Sequence, residues 1–437
     1  MINEYRSQGF KKYFSNTIWL ISEKFLRITV GLFVGIWVIR YLGPSQFGLL
    51  AYVQSLAAIF TVITTLGLDR ILVREMVLNP DKSAEYIGTA FIIKFTGSIF
   101  LMIILLGVIN SISSNTYNNM LIFIVASSTI FQSFNVIDMY FQSKVLSKFV
   151  IYVNIFSLLF SSAAKVILIM INSPLEYFAW AVLFDNFILA LGFIYILWKR
   201  ADFPIPNLLF KKTTAVFLLK NSWPLALNGL FITIYMKIDL VMIREILNTE
   251  SVGQYAAATK ISEIFLIIPM MVVTSLFPAV INAKKTSQPF YYKRLQSLFD
   301  LMVWIAVFIA FFFTFLSDTL VTSLYGEDYK FASNVLKIHI WSAVFVSLGM
   351  ARSNWILAEN LQMYSLIFVS LGAVSNISLN YFLIPVMGIN GAAIATLITS
   401  SLVLFSAVAF SKTRKVFFMN VSSLLLFPSL NRLKKYH

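Results

Sequence analysis

The sequence predicts an all-α integral membrane protein of about twelve transmembrane helices in two six-helix lobes related by a parallel pseudo-two-fold repeat. Three observations lead to this class. The 437 residues are 59% hydrophobic and only 12% charged, whereas an average soluble domain is about 45–50% apolar and about 25% charged. Apolar runs of about 20 residues, the length that crosses a bilayer, recur along nearly the whole chain. A weak internal repeat divides these runs into two equal sets.

We expect twelve spans, with ends uncertain by about 2–4 residues, at 16–41, 47–68, 84–109, 118–142, 147–171, 175–198, 222–244, 252–281, 296–316, 331–358, 362–386 and 389–411. Basic residues concentrate in alternate connections, whereas the connections 43–46 and 110–119 carry no charge. By the positive-inside rule both termini and the basic loops are cytoplasmic. These flanking residues account for the net charge of +15, so nucleic-acid binding is not expected.

The internal repeat has an offset of about 205 positions, because Leu42-x5-Gly48-x2-Ala51 aligns with Leu247-x5-Gly253-x2-Ala256. Six spans in each half leave the two halves in the same orientation, which places the expected site between the lobes. We therefore predict an N-lobe (1–198), a cytoplasmic linker (199–221), a C-lobe (222–411) and a cytoplasmic tail (412–437) that can lie on the inner membrane surface. The linker contains either a surface amphipathic helix after 207 or simply the start of span seven.

Ten ionisable residues lie deep within the predicted spans. Each charge that faced lipid at the bilayer centre would cost about 2.5–3.5 kcal/mol, so these groups must face protein or a water-filled cavity. The six cations are Lys24, Arg27, Lys94, Lys165, Lys237 and Lys260, and the four acids are Glu23, Asp185, Asp239 and Glu263.

The excess of cations suits an anionic substrate such as a diphosphate, which arginine binds in bidentate geometry. We predict that Arg27, Lys94 and Lys260 bind this group, with Lys24, Lys165 and Lys237 as secondary candidates. The four acids would balance charge or bind a coupling proton or sodium ion.

Structural roles remain open for several of these residues. Helical spacing allows Glu23 to pair with Arg27, and Lys260 with Glu263, as supports between packed helices. Lys165 and Lys237 can instead extend towards the outer surface. Asp138 and Asp300, which lie near the cytoplasmic ends of their spans, favour a structural role.

Other chemistry has little support in the sequence. The chain lacks the G-x-x-x-x-G-K-[ST] phosphate-binding loop and has no cysteine and only two histidines. We therefore expect no catalytic residues, no metal site and no cofactor apart from a coupling ion.

Several segments resemble polysaccharide flippases, the O-antigen and capsule exporters of the multidrug/oligosaccharidyl-lipid/polysaccharide (MOP) superfamily. They are W-V-I-R-Y-L-G-P-S-Q-F-G-L-L-A-Y (37–52), L-G-L-D-R-I-L-V-R-E (66–75), N-S-W-P-L-A-L-N (221–228), S-V-G-Q-Y-A-A-A-T-K-I-S (251–262) and L-I-P-V-M-G-I-N-G-A-A-I-A-T (383–396). The resemblance implies a multi-pass protein of the bacterial inner membrane that flips an undecaprenyl-diphosphate-linked oligosaccharide by alternating access. Its implied partners are that lipid-linked substrate, membrane lipid, and polysaccharide polymerase and chain-length proteins. We expect a monomer.

Two other functions stay open. An ion-coupled multidrug or small-solute antiporter could use the same scaffold, although a basic interior argues against cationic substrates. A membrane glycosyltransferase or polymerase would need acidic groups on an outer loop, where Glu327 and Asp328 are the adjacent candidates.

Overall fold

The computed structural model describes residues 2–112, 115–204 and 208–425, and within them the side chains of Glu23, 26–107, 115–204 and 208–425. The side chain of Lys24 and the end of the predicted tail, 426–437, lie outside the described residues. The described chain consists of α-helices joined by short turns and 3-10 segments. The helices are α1 (Ile2–Thr65), α2 (Leu68–Leu78), α3 (Ser83–Ile112), α4 (Thr116–Gln132), α5 (Val136–Ser143), α6 (Ser147–Met170), α7 (Leu175–Arg200), α8 (Lys212–Ile246), α9 (Thr249–Phe265), α10 (Ile267–Lys284), α11 (Gln288–Tyr325), α12 (Lys330–His339), α13 (Ser342–Ala358), α14 (Gln362–Met387), α15 (Ile389–Phe405) and α16 (Ser411–Leu424).

The predicted membrane fold is confirmed. In the described part of the chain, ten helical stretches are long and apolar enough to cross a membrane, and the bent pair Glu327–His339 and Ser342–Ala358 gives an eleventh. The first stretch, Leu26–Leu78, contains residues 26–41 of predicted span one and all of predicted span two. They are separated at Gly43, whose φ of 66° and ψ of 173° interrupt α1. The turn expected at Gly43 and Pro44 therefore exists, and counting its two arms separately gives about twelve spans.

The chain divides into two compact units. Unit 1 comprises Met1–Leu42 and Leu49–Thr233. Its core brings together buried residues of α2, α3 and α5, among them Leu72, Ile87 and Phe141, and it also includes Leu218 from the start of α8. The limit of unit 1 therefore falls inside α8, past the predicted start of the C-lobe at 222, and the predicted lobe limits stay a prediction.

The linker is held against α3 in unit 1. The Thr89 hydroxyl donates to the Leu209 carbonyl (3.4 Å) and accepts from the Lys211 backbone amide (3.2 Å). Lys211 also pairs with Glu85 at 3.4 Å. Because α8 begins at Lys212 and continues to Ile246, the second interpretation of the linker, the start of span seven, is the observed one.

One connection of unit 1 is fixed by charge outside the membrane-spanning helices. Asp202 follows α7 and pairs with Lys144, the residue directly after α5, at 3.0 Å. The hydrogen bond from Lys144 lowers the pKa of the Asp202 carboxyl below its usual value, and the Tyr140 hydroxyl adds a second donor. The ends of α5 and α7 are thereby joined.

Unit 2 comprises Gly43–Gly48 and Ile234–His437. Its core contains buried Phe299 and Met302 of α11, Leu348 of α13 and Phe368 of α14. The helix of the predicted tail, α16, packs on this unit through Thr413, Val416, Asn420 and Ser423. The Ser423 hydroxyl donates to the fully buried carboxylate of Asp300 (2.6 Å), which also accepts from Gln296 (2.9 Å). Asp300 therefore has the structural role that its position predicted.

Candidate functional site

In unit 1, Glu23 and Arg27 form the predicted pair on one face of α1. The Arg27 guanidinium donates to the same Glu23 oxygen from Nε at 2.8 Å and from Nη2 at 2.5 Å. The glutamate side chain is 9% exposed, whereas that of Arg27 is 52% exposed. Since the buried carboxylate holds one edge of the guanidinium, the remaining donors of Arg27 stay available to a ligand.

Lys94 of α3 is almost fully buried and is paired with Asp69, a residue that the sequence did not single out. The Lys94 Nζ lies 2.5 Å from Asp69 Oδ1, and the side chains are 3% and 46% exposed. Asp69 lies in the first turn of α2. It follows Gly67, which has a left-handed backbone conformation, by two residues. The lysine therefore presents no free surface of its own, and the carboxylate is the exposed member of the pair.

Asp138 of α5 adds a third carboxylate to this part of unit 1. It accepts a hydrogen bond from Gln142 and lies within electrostatic range of Asp69, Glu23 and Arg27. Together with Lys94, these residues form what we call the N-cluster: Glu23, Arg27, Asp69, Lys94 and Asp138. Its described side chains comprise three acids and two bases, so the N-cluster is less cationic than the sequence suggested.

A second ion pair in unit 1 joins α6 to α7. Lys165 Nζ lies 2.7 Å from Asp185 Oδ2 and donates to the Ser161 hydroxyl at 2.8 Å. Both charged side chains are 26% exposed. The second oxygen of Asp185, Oδ1, has no hydrogen-bond partner among the described residues. This pair brings together two predicted site residues, one from the six cations and one from the four acids.

In unit 2, Lys237 of α8 pairs with Glu263 of α9 at 3.6 Å, with 31% and 40% of their side chains exposed. The predicted pairing of Lys260 with Glu263 stays a prediction. Lys260 itself is exposed, and its Nζ lies 5.8 Å from the centre of the Phe47 ring, which is within the range of a cation–π interaction.

Asp239 of α8 is the most deeply buried predicted acid of unit 2, at 4% exposure. Three neutral donors from three other helices converge on it, each at 2.6 Å: the Tyr255 and Thr396 hydroxyls on Oδ2 and the Asn380 amide on Oδ1. Among the ion pairs of the described residues, none involves Asp239. A buried carboxylate that is satisfied by neutral donors alone can accept a small cation or a proton without first breaking a salt bridge.

The surroundings of Asp239, which we call the C-cluster (Asp239, Tyr255, Asn376, Asn380 and Thr396), contain further polar groups. Asn380 also donates to Asn376 Oδ1 at 3.1 Å, whereas Asn380 Oδ1 and Asn376 Nδ2 lack partners in the described part of the chain. Sequence reasoning found Asp239 and missed its partners. The available signal was a pair of asparagines four residues apart within the apolar span 362–386.

His339 lies beside the C-cluster, where the bent span changes direction between α12 and α13. Its Nδ1 is 2.7 Å from the Ser262 hydroxyl, and its ring meets that of Tyr255 edge to face, with centroids 6.1 Å apart. These contacts give His339 a packing role between α9 and the bend. Among the described residues, no group of three or more His, Cys, Asp or Glu side chains is arranged to hold a metal ion.

Comparison with known proteins gives the family. A family model described as polysaccharide biosynthesis protein matches residues 14–284, and a MatE model matches 224–382. The first match covers more than half of the 437 residues. A comparison with curated proteins gave no match.

Solved structures support the fold over almost the whole chain. An inward-facing multidrug resistance MATE transporter of the MOP superfamily has a TM-score of 0.72 at 15% identity, covering 91% of this chain and 96% of the other. The Lipid II flippase MurJ in an inward closed conformation has a TM-score of 0.69 at 16% identity, covering 94% and 92%. A MOP transporter from Pyrococcus furiosus, for which a reversed polarity of the binding pocket suggests a different function, has a TM-score of 0.64 at 16% identity, covering 93% and 95%.

These likenesses are too distant in sequence to identify a substrate, but they agree on the architecture of a multi-pass membrane protein. With the match over residues 14–284, they show that this chain belongs to the family of polysaccharide biosynthesis proteins and has the fold of MOP-superfamily transporters.

Proposed function

We propose that this protein is a flippase that moves an undecaprenyl-diphosphate-linked oligosaccharide, a repeat unit of O-antigen or capsule, by alternating access. The movement runs from the cytoplasmic to the periplasmic leaflet of a bacterial inner membrane. The match to polysaccharide biosynthesis proteins and the fold likeness to the Lipid II flippase MurJ support this function. The protein acts as a secondary transporter and not as an enzyme.

The observation that carries the proposal is the partial exposure of charged side chains on membrane-spanning helices. Arg27 and Asp69 in unit 1, and Lys237 and Glu263 in unit 2, each expose about a third or more of the side chain. A charge that faced lipid at the bilayer centre would cost about 2.5–3.5 kcal/mol. Each unit therefore carries a charged face suited to a wet pathway that admits a polar headgroup.

Among the candidate cations, Arg27 and Lys260 have exposed side chains. Arg27 keeps guanidinium donors beyond those bonded to Glu23, and a guanidinium can bind a phosphate through two parallel hydrogen bonds. Lys260 is exposed beside the Phe47 ring. Lys94 is buried against Asp69, and Lys165 and Lys237 are only partly exposed, so we place these three second.

We propose Asp239 as the residue that couples transport to an ion gradient. Its carboxylate is buried among neutral donors, so the arrival of a proton or sodium ion would change the charge and hydrogen bonding of four helices at once. A proton would satisfy one carboxylate oxygen, whereas a sodium ion would also use oxygens such as Asn380 Oδ1. Transport driven separately by a pH gradient and by a sodium gradient in proteoliposomes distinguishes the two ions.

The flippase function is tested in a strain from which this gene is deleted. Lipid-linked oligosaccharide should accumulate on the cytoplasmic side, and the wild-type protein should restore export. The double variant Arg27→Ala, Lys260→Ala should accumulate the precursor even though it is present in the membrane at a normal level. Export at the wild-type rate by this variant would remove the assignment of these two residues.

One observation favours a second candidate, an antiporter of organic cations. The N-cluster has more acids than bases among its described side chains, and a MatE model matches part of the chain. Proton- or sodium-driven efflux of cationic dyes from vesicles would support this function. Such efflux without any effect of deletion on lipid-linked sugars would replace the flippase proposal.

A further inference from the structure

Two basic side chains of unit 1 converge on one aromatic ring, where α6 begins and α7 ends. The Lys148 Nζ and the Arg200 guanidinium carbon each lie 5.0 Å from the centre of the Phe149 ring, which is within the range of a cation–π interaction. The two cations are therefore no more than about 10 Å apart, twice the distance of 5.0 Å. Because the Debye length is about 8–10 Å in ordinary salt solutions, salt does not fully screen the repulsion between them.

Neither cation has an acidic partner in the described part of the chain, where the ion pairs involve other bases. Asp202, the acid nearest to Arg200 in sequence, already pairs with Lys144 at 3.0 Å. The segments 144–148 and 199–202 contain four bases and one acid. This end of unit 1 therefore keeps an excess of three positive charges that an anion would neutralise.

The exposed face of α6 changes in a regular order away from these charges. Tyr152 and Phe156 follow Lys148 at steps of four residues, which share one face of a helix, and each of the two is more than half exposed. A step of four residues is about 6 Å along the helix axis. From the start of α6 inward, this face therefore presents a charge, then an aromatic hydroxyl and then an apolar ring.

The exposed face of α7 has the same order when it is read back from its end. Tyr195 and Leu191 precede Lys199 at steps of four residues, and each of the two is at least half exposed. The Tyr195 hydroxyl accepts a hydrogen bond from Lys199 at 3.1 Å. Trp198, which directly precedes Lys199, is 73% exposed. Two neighbouring helices thus repeat one order of charged, aromatic and apolar groups.

This order matches the layers of a phospholipid in one leaflet, which are the phosphate headgroup, the polar glycerol region and the acyl chains. Tryptophan and tyrosine concentrate at the boundary between headgroups and hydrocarbon. Basic pockets between transmembrane helices on the cytoplasmic side bind anionic headgroups. A dissolved anion would use the cations alone, whereas a lipid also uses the apolar part of both helix faces. The pattern therefore favours a lipid.

We propose that the ends of α6 and α7 form a binding site for an anionic phospholipid. Its phosphate lies between Lys148 and Arg200 beside the Phe149 ring, and its acyl chains lie along the exposed faces of the two helices. Arginine binds phosphate oxygens through paired hydrogen bonds, and lysine adds a compact second charge. By the predicted topology, in which the basic loops are cytoplasmic, this lipid belongs to the inner leaflet. The site does not depend on which substrate the protein transports.

Native mass spectrometry of the purified protein tests the site, because it resolves individual bound lipids. The double variant Lys148→Gln, Arg200→Gln should bind phosphatidylglycerol about 25-fold more weakly than the wild type, since each base near a headgroup contributes roughly a fivefold factor. Phosphatidylcholine, which has a phosphate but no net charge, should bind weakly to both proteins. Equal dissociation constants for phosphatidylglycerol in the wild type and the double variant would overturn the site.

The double variant Lys293→Gln, Arg294→Gln is the matched control, because it removes one lysine and one arginine from exposed positions of α11 in unit 2. It should change the dissociation constant of phosphatidylglycerol by less than about twofold, since these residues are outside the proposed site and the effect of each base is local. If the control weakens binding as much as the test variant does, net charge alone attracts the lipid and the site is overturned.

Thermal stability gives a second readout that also works on the wild type alone. Phosphatidylglycerol should raise the thermal midpoint of the wild type in detergent, because a ligand that binds the folded state stabilises it, and inorganic phosphate should not. Equal stabilisation by phosphatidylcholine would overturn the site, and equal stabilisation by inorganic phosphate would identify a dissolved anion in place of the lipid. Neither measurement uses the transported substrate, so a failure here is separate from a failure of the flippase function.

Discussion

Replacing Asp69 by asparagine should destabilise the protein, because Lys94 would keep its charge and lose its counterion. The lysine side chain is only 3% exposed and lies 2.5 Å from the carboxylate. Breaking a buried ion pair on one side costs about 3–5 kcal/mol. Since Asp69 itself is 46% exposed, water can compensate part of the loss, and we expect a value near the lower limit, about 3 kcal/mol.

The assay is a thermal midpoint measured by the loss of monodisperse protein in detergent. A change of this size should lower the midpoint by roughly 3 °C in a chain of this length. The double variant Asp69→Asn, Lys94→Gln leaves no unpaired charge and should recover much of the loss, which is the sign of direct coupling. A midpoint equal to wild type for Asp69→Asn, or additive losses in the double variant, would refute the reasoning.

Four further predictions follow from the other contacts. Arg27→Gln should slow export by about 10- to 100-fold, the loss expected for a hydrogen bond to a charged group, and should lower the thermal midpoint, because it leaves the buried Glu23 carboxylate without its counterion; the double variant Glu23→Gln, Arg27→Gln should recover the midpoint but not export, and recovered export would make Arg27 a structural residue. Lys165→Asp and Asp185→Lys should each destabilise by about 2 kcal/mol, and the swapped double variant should be more stable than either; equal losses in all three would contradict a direct pair. Asp239→Asn should remove the dependence of transport on the ion gradient in proteoliposomes, and a retained gradient response would exclude Asp239 as the coupling residue. Ser423→Ala should destabilise by about 1–2 kcal/mol because it removes a hydrogen bond to a buried carboxylate, and an unchanged midpoint would show that α16 contributes little to unit 2.

Local patterns predicted the parts of this structure that depend on neighbours in sequence. The turn at Gly43 and Pro44 follows from backbone preferences, and Glu23 and Arg27 pair because residues four apart share one face of a helix. The number of spans follows from the length of apolar runs. These features need no knowledge of how helices are arranged.

The partners of the deep charges could not be predicted because they come from distant segments. Asp69 resembles a loop residue after span two, and only folding brings it to Lys94, twenty-five positions later. Likewise Glu263 pairs with Lys237 on the preceding helix, a partner that spacing within a single helix does not predict.

The polar face of α16 was also hidden in the sequence. Asn420 and Ser423 are typical surface residues, whereas here they are buried, and Ser423 bonds to Asp300. Asp239 could be predicted as a site residue, but its hydrogen-bond partners could not. Its depth predicted a site residue, but its three donors lie 16, 141 and 157 positions away.

The central claim is that accessible cations on the membrane-spanning helices let the diphosphate headgroup of a lipid-linked oligosaccharide cross the membrane. The most direct measurement is flipping of an undecaprenyl-diphosphate-linked oligosaccharide in proteoliposomes, followed by its accessibility to a sugar-specific lectin from outside. The account predicts flipping by the wild-type protein and at least a tenfold slower rate for Arg27→Gln, Lys260→Gln. No flipping by the wild type in the presence of either gradient, or an undiminished rate in the double variant, would contradict it.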